Sequence, residues 1–348
     1  MVSTVQVIVG KGILRDNSTG WRTVCLDLEY NLLKSNGMNS SIHTVLKRLE
    51  TNMEAVVLGK IEVVRKTIIA LLAGEHILLE DVPGVGKTLV AKSLAKSIDG
   101  VFTRVQFTPD LLPTDIIGSS IYHDGEFKFS QGPIFANVVL GDEINRAPPR
   151  TQSAMLEAMS ERQASVDGKS HPMPDPFLVI ATQNPFEFEG TYVLPESQLD
   201  RFIMRIDVGY PGRDAERNVL RSHRSGEPVD KMKPVVSLAE IREAQAVTRT
   251  VQVEDSVLDY LQDIVDQTRT SHELQVGTST RGALAFYRAS QAAALLAGRA
   301  FVVPDDVKKM AIPVLAHRVM PRGFAAGSER TAAEAIIQKC LESVRVPS

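Results

Sequence analysis

The 348-residue chain is poor in the residues on which several classes of protein depend. It has two cysteines, Cys25 and Cys340, far apart and without metal-ligand spacing. That excludes a disulfide scaffold and a cysteine-based zinc site and fits a reducing cytoplasm. Seven histidines form no HExxH or Cys/His cluster, so no resident transition metal is expected. Aromatic residues are only 5% of the chain and the net charge is −3. Neither a platform for stacking bases nor a basic face for a phosphate backbone is announced. Long hydrophobic runs are missing too: TIIALLA (Thr67–Ala73) falls far short of the roughly 18 apolar residues a membrane helix needs. No basic start followed by an apolar core marks secretion. The expectation is a cytoplasmic protein without membrane insertion, and 43% hydrophobic residues are enough to build two domains.

What is present is concentrated first in residues 80–90, EDVPGVGKTLV. HILLE (His76–Glu80) reads as a buried parallel strand, and Thr88 to Ile98 carries apolar residues at near-helical spacing. Strand, glycine loop and helix thus occur in the order a phosphate-binding loop needs. Glycines let backbone N–H groups curl around phosphate oxygens, and the helix N-terminus adds positive potential. Pro83, Gly84, Val85, Gly86, Lys87, Thr88 and Leu89 are the candidate nucleotide contacts. Lys87 would reach the β/γ-phosphates of ATP, and the Thr88 hydroxyl would ligate Mg²⁺. The usual pattern has a further glycine where this chain has Asp81, so a tight glycine turn is the competing reading.

Two more strand ends bear on the same chemistry. FANVVLG (Phe135–Gly141) delivers Asp142 and Glu143 to the carboxyl edge of a parallel sheet. There Asp142 would hold Mg²⁺, and Glu143 would orient and deprotonate the attacking water. FLVIAT (Phe177–Thr182) runs into Gln183 and Asn184, an amide placed to sense a γ-phosphate or to start a turn before proline.

Five segments, EDVPGVGKTLVAKSLA, FTPDLLPTDIIGS, QGPIFANVVLGDEINRAPPRTQSAMLEAMSERQ, VIATQNPFEFEGTYVLPESQLDRF and GTSTRGALAFYRASQAAALLAGRAFVVPDDV, together resemble the MoxR family of AAA+ ATPases over residues 41 to 340. The resemblance implies an α/β fold: a P-loop AAA+ parallel-sheet core with a hairpin inserted at helix 2, followed by a small all-α lid. It implies MgATP hydrolysis, assembly into a homo-oligomeric ring, usually a hexamer, and chaperone-like remodelling, metal insertion or activation of partner proteins. A partner with a von Willebrand factor A-type metal-ion-dependent adhesion domain accompanies similar proteins. By likeness Asn184 is the sensor of the third strand, Arg201 of LDRF the arginine finger with Arg205 in reserve, and Arg281 of STRGA the second sensor, carried by the lid. A guanidinium suits the charge that spreads over a transferring phosphoryl group, though an arginine is as readily paired with a nearby carboxylate such as Asp200. Arg281, early in a helix pattern from Thr280 to Gly298, would point back across a domain cleft. Arg146 and Arg150 stand near the site, either against a neighbour or as a buttress.

Along the chain, residues 1–40 read as a weakly ordered extension. Met38, which opens MNSSIH, reads as the true start, the alternative being a genuine extension. Residues 41–210 alternate helices and strands, 211–341 are helical, and 342–348 form a tail. GSSIYHDGEFKFSQG (Gly118–Gly132) reads as a hairpin whose Tyr122, Phe127 and Phe129 either grip a substrate in a ring's pore or pack on their own domain. Two rival functions remain open at this point: a nucleic-acid motor and an ATP-binding scaffold with little turnover.

Overall fold

The computed structural model describes residues 41–82, 84–123, 125–184, 190–222, 226–323 and 329–347. The extension 1–40 and Pro83 lie outside the described residues. The described residues form one compact unit.

Two helices, α1 (residues 41–54) and α2 (Ile61–Ala73), lead into a five-stranded parallel sheet. Its order is β2-β5-β8-β1-β9, formed by Phe102–Gln106, Val138–Asp142, Leu178–Gln183, His76–Glu80 and Phe202–Ile206. Side chains alternate between its faces, as a strand requires. Val138, Leu140, Leu178, Ile180, Ile77 and Leu79 enter one core, and Leu78, Val139, Val179 and Ala181 enter the other. Both faces are covered, which accounts for the near-continuous apolar runs of β1, β5 and β8. Helix α3 (Lys87–Ser97) packs on one face, and α4 (Pro113–Ile117) with α5 (Pro149–Glu161) supplies the other. The one-turn helix α6 (Glu196–Leu199) leads into β9, and α7 (Arg213–Ser222) follows it. Strand β2 carries no clear signal in the sequence because it is an edge strand with only Val105 buried.

Two hairpins stand out from the sheet. The expected one, β3 (Gly118–His123) with β4 (Glu126–Gln131), follows directly on α4. A second, β6 (Gln163–Val166) with β7 (Lys169–Pro172), turns at Asp167-Gly168 with φ of 51° and 74°. Both central residues are left-handed, the conformation for which Asp-Gly is favoured in tight hairpins, so the sequence does carry a signal for this unexpected element.

The lid is built on α8 (Leu238–Thr248), α9 (Asp255–Thr270), α10 (Thr280–Leu296), α11 (Pro304–Leu315) and α12 (Glu329–Ser343). Ser237 caps α8: its hydroxyl accepts from Glu240 N–H at 3.3 Å, and the Glu240 carboxylate accepts from Ser237 N–H at 2.7 Å. On α9 Val257, Tyr260, Leu261, Ile264 and Val265 form the buried face, whereas Leu258 is 41% exposed. A short ladder, β10 (Leu274–Val276) with β11 (Met320–Pro321), sits among these helices. The lid's apolar faces join the same core as α2 and β9, so lid and sheet share one hydrophobic interior. Among the described residues no helix is long and apolar enough to cross a membrane.

His76 shows how tightly that interior is closed. Its Nδ1 accepts from Val179 N–H at 2.9 Å, so Nε2 carries the hydrogen donated to the Met159 carbonyl at 3.1 Å. Burial holds the imidazole down at about 4, against 6.5 when solvated. Its stabilising contribution is complete above 6.5 and is lost as pH falls through 4, a difference of about 3 kcal/mol. The His76 ring resonances should therefore stay constant from pH 8 to 5; a titration midpoint near 6.5 would refute the buried neutral state.

Candidate functional site

At the carboxyl edge, β1 hands the chain to the glycine loop. Gly84 and Gly86 have φ of 85° and 98°, and a Cβ built on either meets nothing within 4 Å, so the loop is an open cradle. Val85 and Leu89 pack their side chains against the core beneath the loop. Lys87 opens α3, and its ammonium donates to the Asp81 carbonyl at 2.8 Å. Partial burial lowers its pKa, while Asp142, Asp81 and Glu143 oppose the shift. Thr88 follows on the first turn of α3, half-buried. Asp81, the departure from the usual pattern, fastens the loop to the end of the sheet domain. Its carboxylate accepts from Val82 N–H at 2.7 Å and from Gly209 N–H.

Asp142 and Glu143 stand beside this cradle at the end of β5. Thr182 organises both: its hydroxyl donates to Asp142 Oδ1 at 2.5 Å and accepts from Glu143 N–H at 2.9 Å. Glu143 is held with φ 58° and ψ 51°, a left-handed geometry that costs a non-glycine residue on the order of 1–2 kcal/mol. Its Oε2 takes Gln106 Nε2 at 3.0 Å and Arg146 Nε at 2.9 Å. Arg146 is thus a buttress, whereas Arg150 lies exposed on the first turn of α5. Arg104 binds Asp142 Oδ2 at 2.6 Å and, through the same Nη2, Gln106 Oε1 at 2.9 Å. Asn184 follows β8 at the same edge, two residues beyond Thr182. Thr182, Gln106 and Arg104 are absent from the sequence-based candidates; the last two share one face of β2 by strand alternation, the signal that would have found them.

Mg²⁺ is implied by this chemistry, and the donor set fits it: the Thr88 hydroxyl and the Asp142 carboxylate are hard oxygens flanking the cradle. Among the described residues no group of three or more His, Cys, Asp or Glu is gathered for another metal.

The arginines lie elsewhere. Arg201 immediately precedes β9, whose first residue pairs with His76 at the start of β1. The phosphate loop leaves from the far end of β1, five residues or about 16 Å away. Arg201 donates to the Leu156 carbonyl at 2.7 Å and Ser160 Oγ at 3.0 Å, not to Asp200. It lines a cavity of about 650 Å³ that also takes in Arg162, Arg249, Arg281, Arg288 and Arg318, against only Glu75 and Asp200. Arg281 therefore does not look across a cleft at its own phosphate loop. It lines the same cavity as Arg201 at the amino edge, because lid helix α10 packs there against α2. Arg205, the reserve finger, is buried in β9 and paired with Glu80 at 3.6 Å and Glu334 at 3.5 Å, which removes it from that role.

Arg318 anchors this edge, and no motif marks it in the sequence. Fully buried, it donates to Asp200 Oδ1 at 2.7 Å and to the carbonyls of Phe202 at 2.7 Å and Ile203 at 3.0 Å. Burial pulls its pKa down and the Asp200 charge pushes it up. Ser279, the cap of α10, donates to the other Asp200 oxygen at 3.3 Å. Gly282 lets Arg318 pass: a Cβ there would lie 2.9 Å from Arg318 Cδ.

Of the insert aromatics, Tyr122 and Phe127 are 64% and 74% exposed, their ring centroids 5.1 Å apart. Phe129 is not available to a substrate in the same way. It stacks on His171 of the second hairpin at 3.9 Å and packs against Phe135.

A glycine cradle at the carboxyl edge of a parallel sheet, paired carboxylates beside it and a helical lid define a P-loop ATPase of the AAA+ class. Residues 76–204 match the ATPase family associated with various cellular activities, and residues 266–340 match the AAA lid domain. The chain is 45% identical over 308 residues to the uncharacterized protein YeaC of Bacillus subtilis, covering 88% of this chain and 96% of that one. It is 40% identical over 322 residues to chaperone MoxR1 of Mycobacterium tuberculosis, covering 89% and 84%. A crystal structure from Cytophaga hutchinsonii, provisionally described as an ATPase, superposes with a TM-score of 0.84 at 36% identity, covering 91% and 99%. The chain belongs to the MoxR family of AAA+ ATPases.

If Thr182 sets the two carboxylates, Thr182→Val should lower ATP turnover at least about tenfold and destabilise the fold by about 1–3 kcal/mol. Steady-state hydrolysis and urea unfolding measure both; full turnover in the variant would dismiss the role.

Proposed function

We propose that this protein hydrolyses MgATP at sites completed between subunits of a homo-oligomeric ring, a hexamer by family likeness, and uses the cycle to remodel or activate a partner protein. The carrying observation is the separation of two charge sets by the sheet: the loop and carboxylates at one edge, the arginine-lined cavity at the other. Within one chain Arg201 is too far from the phosphate loop to act on it, and a neighbouring copy brings a loop to that cavity without moving either edge.

In this reading Gly84, Gly86 and Lys87 bind the phosphates, while Thr88 and Asp142 hold Mg²⁺, which neutralises charge developing on the transferring phosphoryl group. Glu143 takes the proton from the attacking water, its carboxylate oriented by Gln106 and Arg146, and Asn184 sits at the same edge to position that water. Arg201 and Arg281 both serve the neighbour's nucleotide. An arginine finger contributes about 10³ to 10⁵ in rate. The exposed pair Tyr122 and Phe127 is the part of the hairpin left to touch a client. A partner bearing a von Willebrand factor A-type domain and a cytoplasmic setting complete the proposal, on family likeness and on composition.

Glu143→Gln should cut turnover about 10²- to 10⁴-fold and leave nucleotide binding intact. Arg201→Ala and Arg281→Ala should each be inactive alone, yet each should regain turnover when mixed with Glu143→Gln subunits. Such a mixture pairs an intact loop with intact arginines at a fraction of its interfaces. No recovery with Arg281→Ala would place that arginine back in its own subunit's site, and no recovery with either would remove the intersubunit mechanism.

A further inference from the structure

Between the phosphate loop and the lid lies a charged cluster that none of the steps above uses. Glu80, the last residue of β1, is only 5% exposed. Its Oε2 accepts from Arg330 Nη1 at 3.0 Å, with Arg205 Nε 3.6 Å away. Arg330 belongs to lid helix α12 and also holds Asp207 and, through Nε, Glu334 at 3.2 Å. Burial pushes the Glu80 carboxyl toward its neutral form and the two guanidiniums oppose it. A buried ion pair of this kind contributes little net stability against an apolar replacement, so its placement calls for another account.

That placement is one peptide bond from the nucleotide cradle. Asp81, the next residue, gives its carbonyl to the Lys87 ammonium at 2.8 Å and its carboxylate to the loop and to Gly209. The phosphate-binding lysine and a lid arginine therefore grip adjacent residues. An ammonium drawn to phosphate oxygens loosens its hold on the Asp81 carbonyl, and Glu80 cannot follow or resist without moving Arg330. The fork of Arg330 meets three carboxylates on three elements: Glu80 of β1, Asp207 just after β9 and Glu334 of α12 itself. The planar guanidinium holds these through three different nitrogens, Nη1, Nη2 and Nε, in a fixed fork.

We propose that Arg330 is a positioning residue of the nucleotide site, fixing through Glu80 the strand end from which the phosphate loop departs and passing the loop's occupancy to α12. The proposal rests on the ATPase reading above. It gives the lid a link to its own subunit's nucleotide at the edge opposite Arg281.

The test compares backbone hydrogen exchange of residues Glu329–Ser343 in the full chain with and without Mg²⁺ and a non-hydrolysable ATP analogue, in the parent, Arg330→Ala and Glu80→Gln proteins. Nucleotide should change α12 exchange in the parent only. Both variants should still bind the analogue within about threefold of the parent affinity, while kcat falls about tenfold at an unchanged KM, in the range of ordinary coupling between sites. A folded variant whose α12 still responds fully, or whose kcat is unchanged, overturns the proposal by reducing the cluster to a structural tie. Should Arg330→Ala fail to fold, Glu80→Gln, which keeps shape and removes the charge, decides the matter. A parent that binds the analogue without any response in α12 sinks this proposal alone. A parent that binds none sinks the ATPase reading and this proposal with it.

Discussion

All five strands of the central sheet run the same way, and the division of labour in the molecule depends on that constraint. Parallel strands place every β-to-α turn at one edge, so the cradle after β1, the carboxylates after β5 and the amide after β8 converge without any long-range design. The same parallelism puts the residues that precede strands at the other edge. Arg201 arrives there because it precedes β9, and it cannot be moved to its own cradle without reversing a strand. Under the proposed mechanism a catalytic set divided in this way is incomplete in a single chain, which would give such an ATPase a physical reason to assemble.

What holds the lid against the sheet is both apolar and ionic. Faces of α10 and α11 merge with the interior formed by α2 and β9, a continuous core that favours one docked arrangement over a loose tether. Within it Arg318 clasps the backbone on either side of Arg201, and Gly282 leaves it room. Buried guanidiniums are costly unless every donor is used, so this one specifies how α10 approaches the sheet. Arg281 faces the amino edge as a consequence of that docking.

Much of the fold is legible in the sequence because apolar periodicity and turn chemistry are local. β1 can be read to the residue, the first hairpin from Asp124-Gly125, and the cap of α8 from Ser237 and Glu240. β2 cannot, since an edge strand with one buried residue carries almost no hydrophobic signal. The cradle and the carboxylates are legible for a related reason: glycine, lysine, threonine and paired acids are demanded by phosphate and magnesium wherever they occur. Arg146 and Thr182 look like any arginine or threonine until the chain folds back on itself.

By itself the sequence determined the parallel α/β class, the glycine loop from Gly84 to Thr88 after β1 and the adjacent acids Asp142 and Glu143 at the end of β5, because each follows from near neighbours along the chain. Only the tertiary structure decided that Arg201 and Arg281 share an edge away from that cradle, that Arg205 is a buried ion-pair partner, that Phe129 is taken up by His171, and that Arg330 meets Glu80. Those outcomes turn on how elements as much as 250 residues apart pack together, as Arg330 and Glu80 do. Charge on a side chain is visible in a sequence, but which opposite charge it finds depends on the packing of the whole.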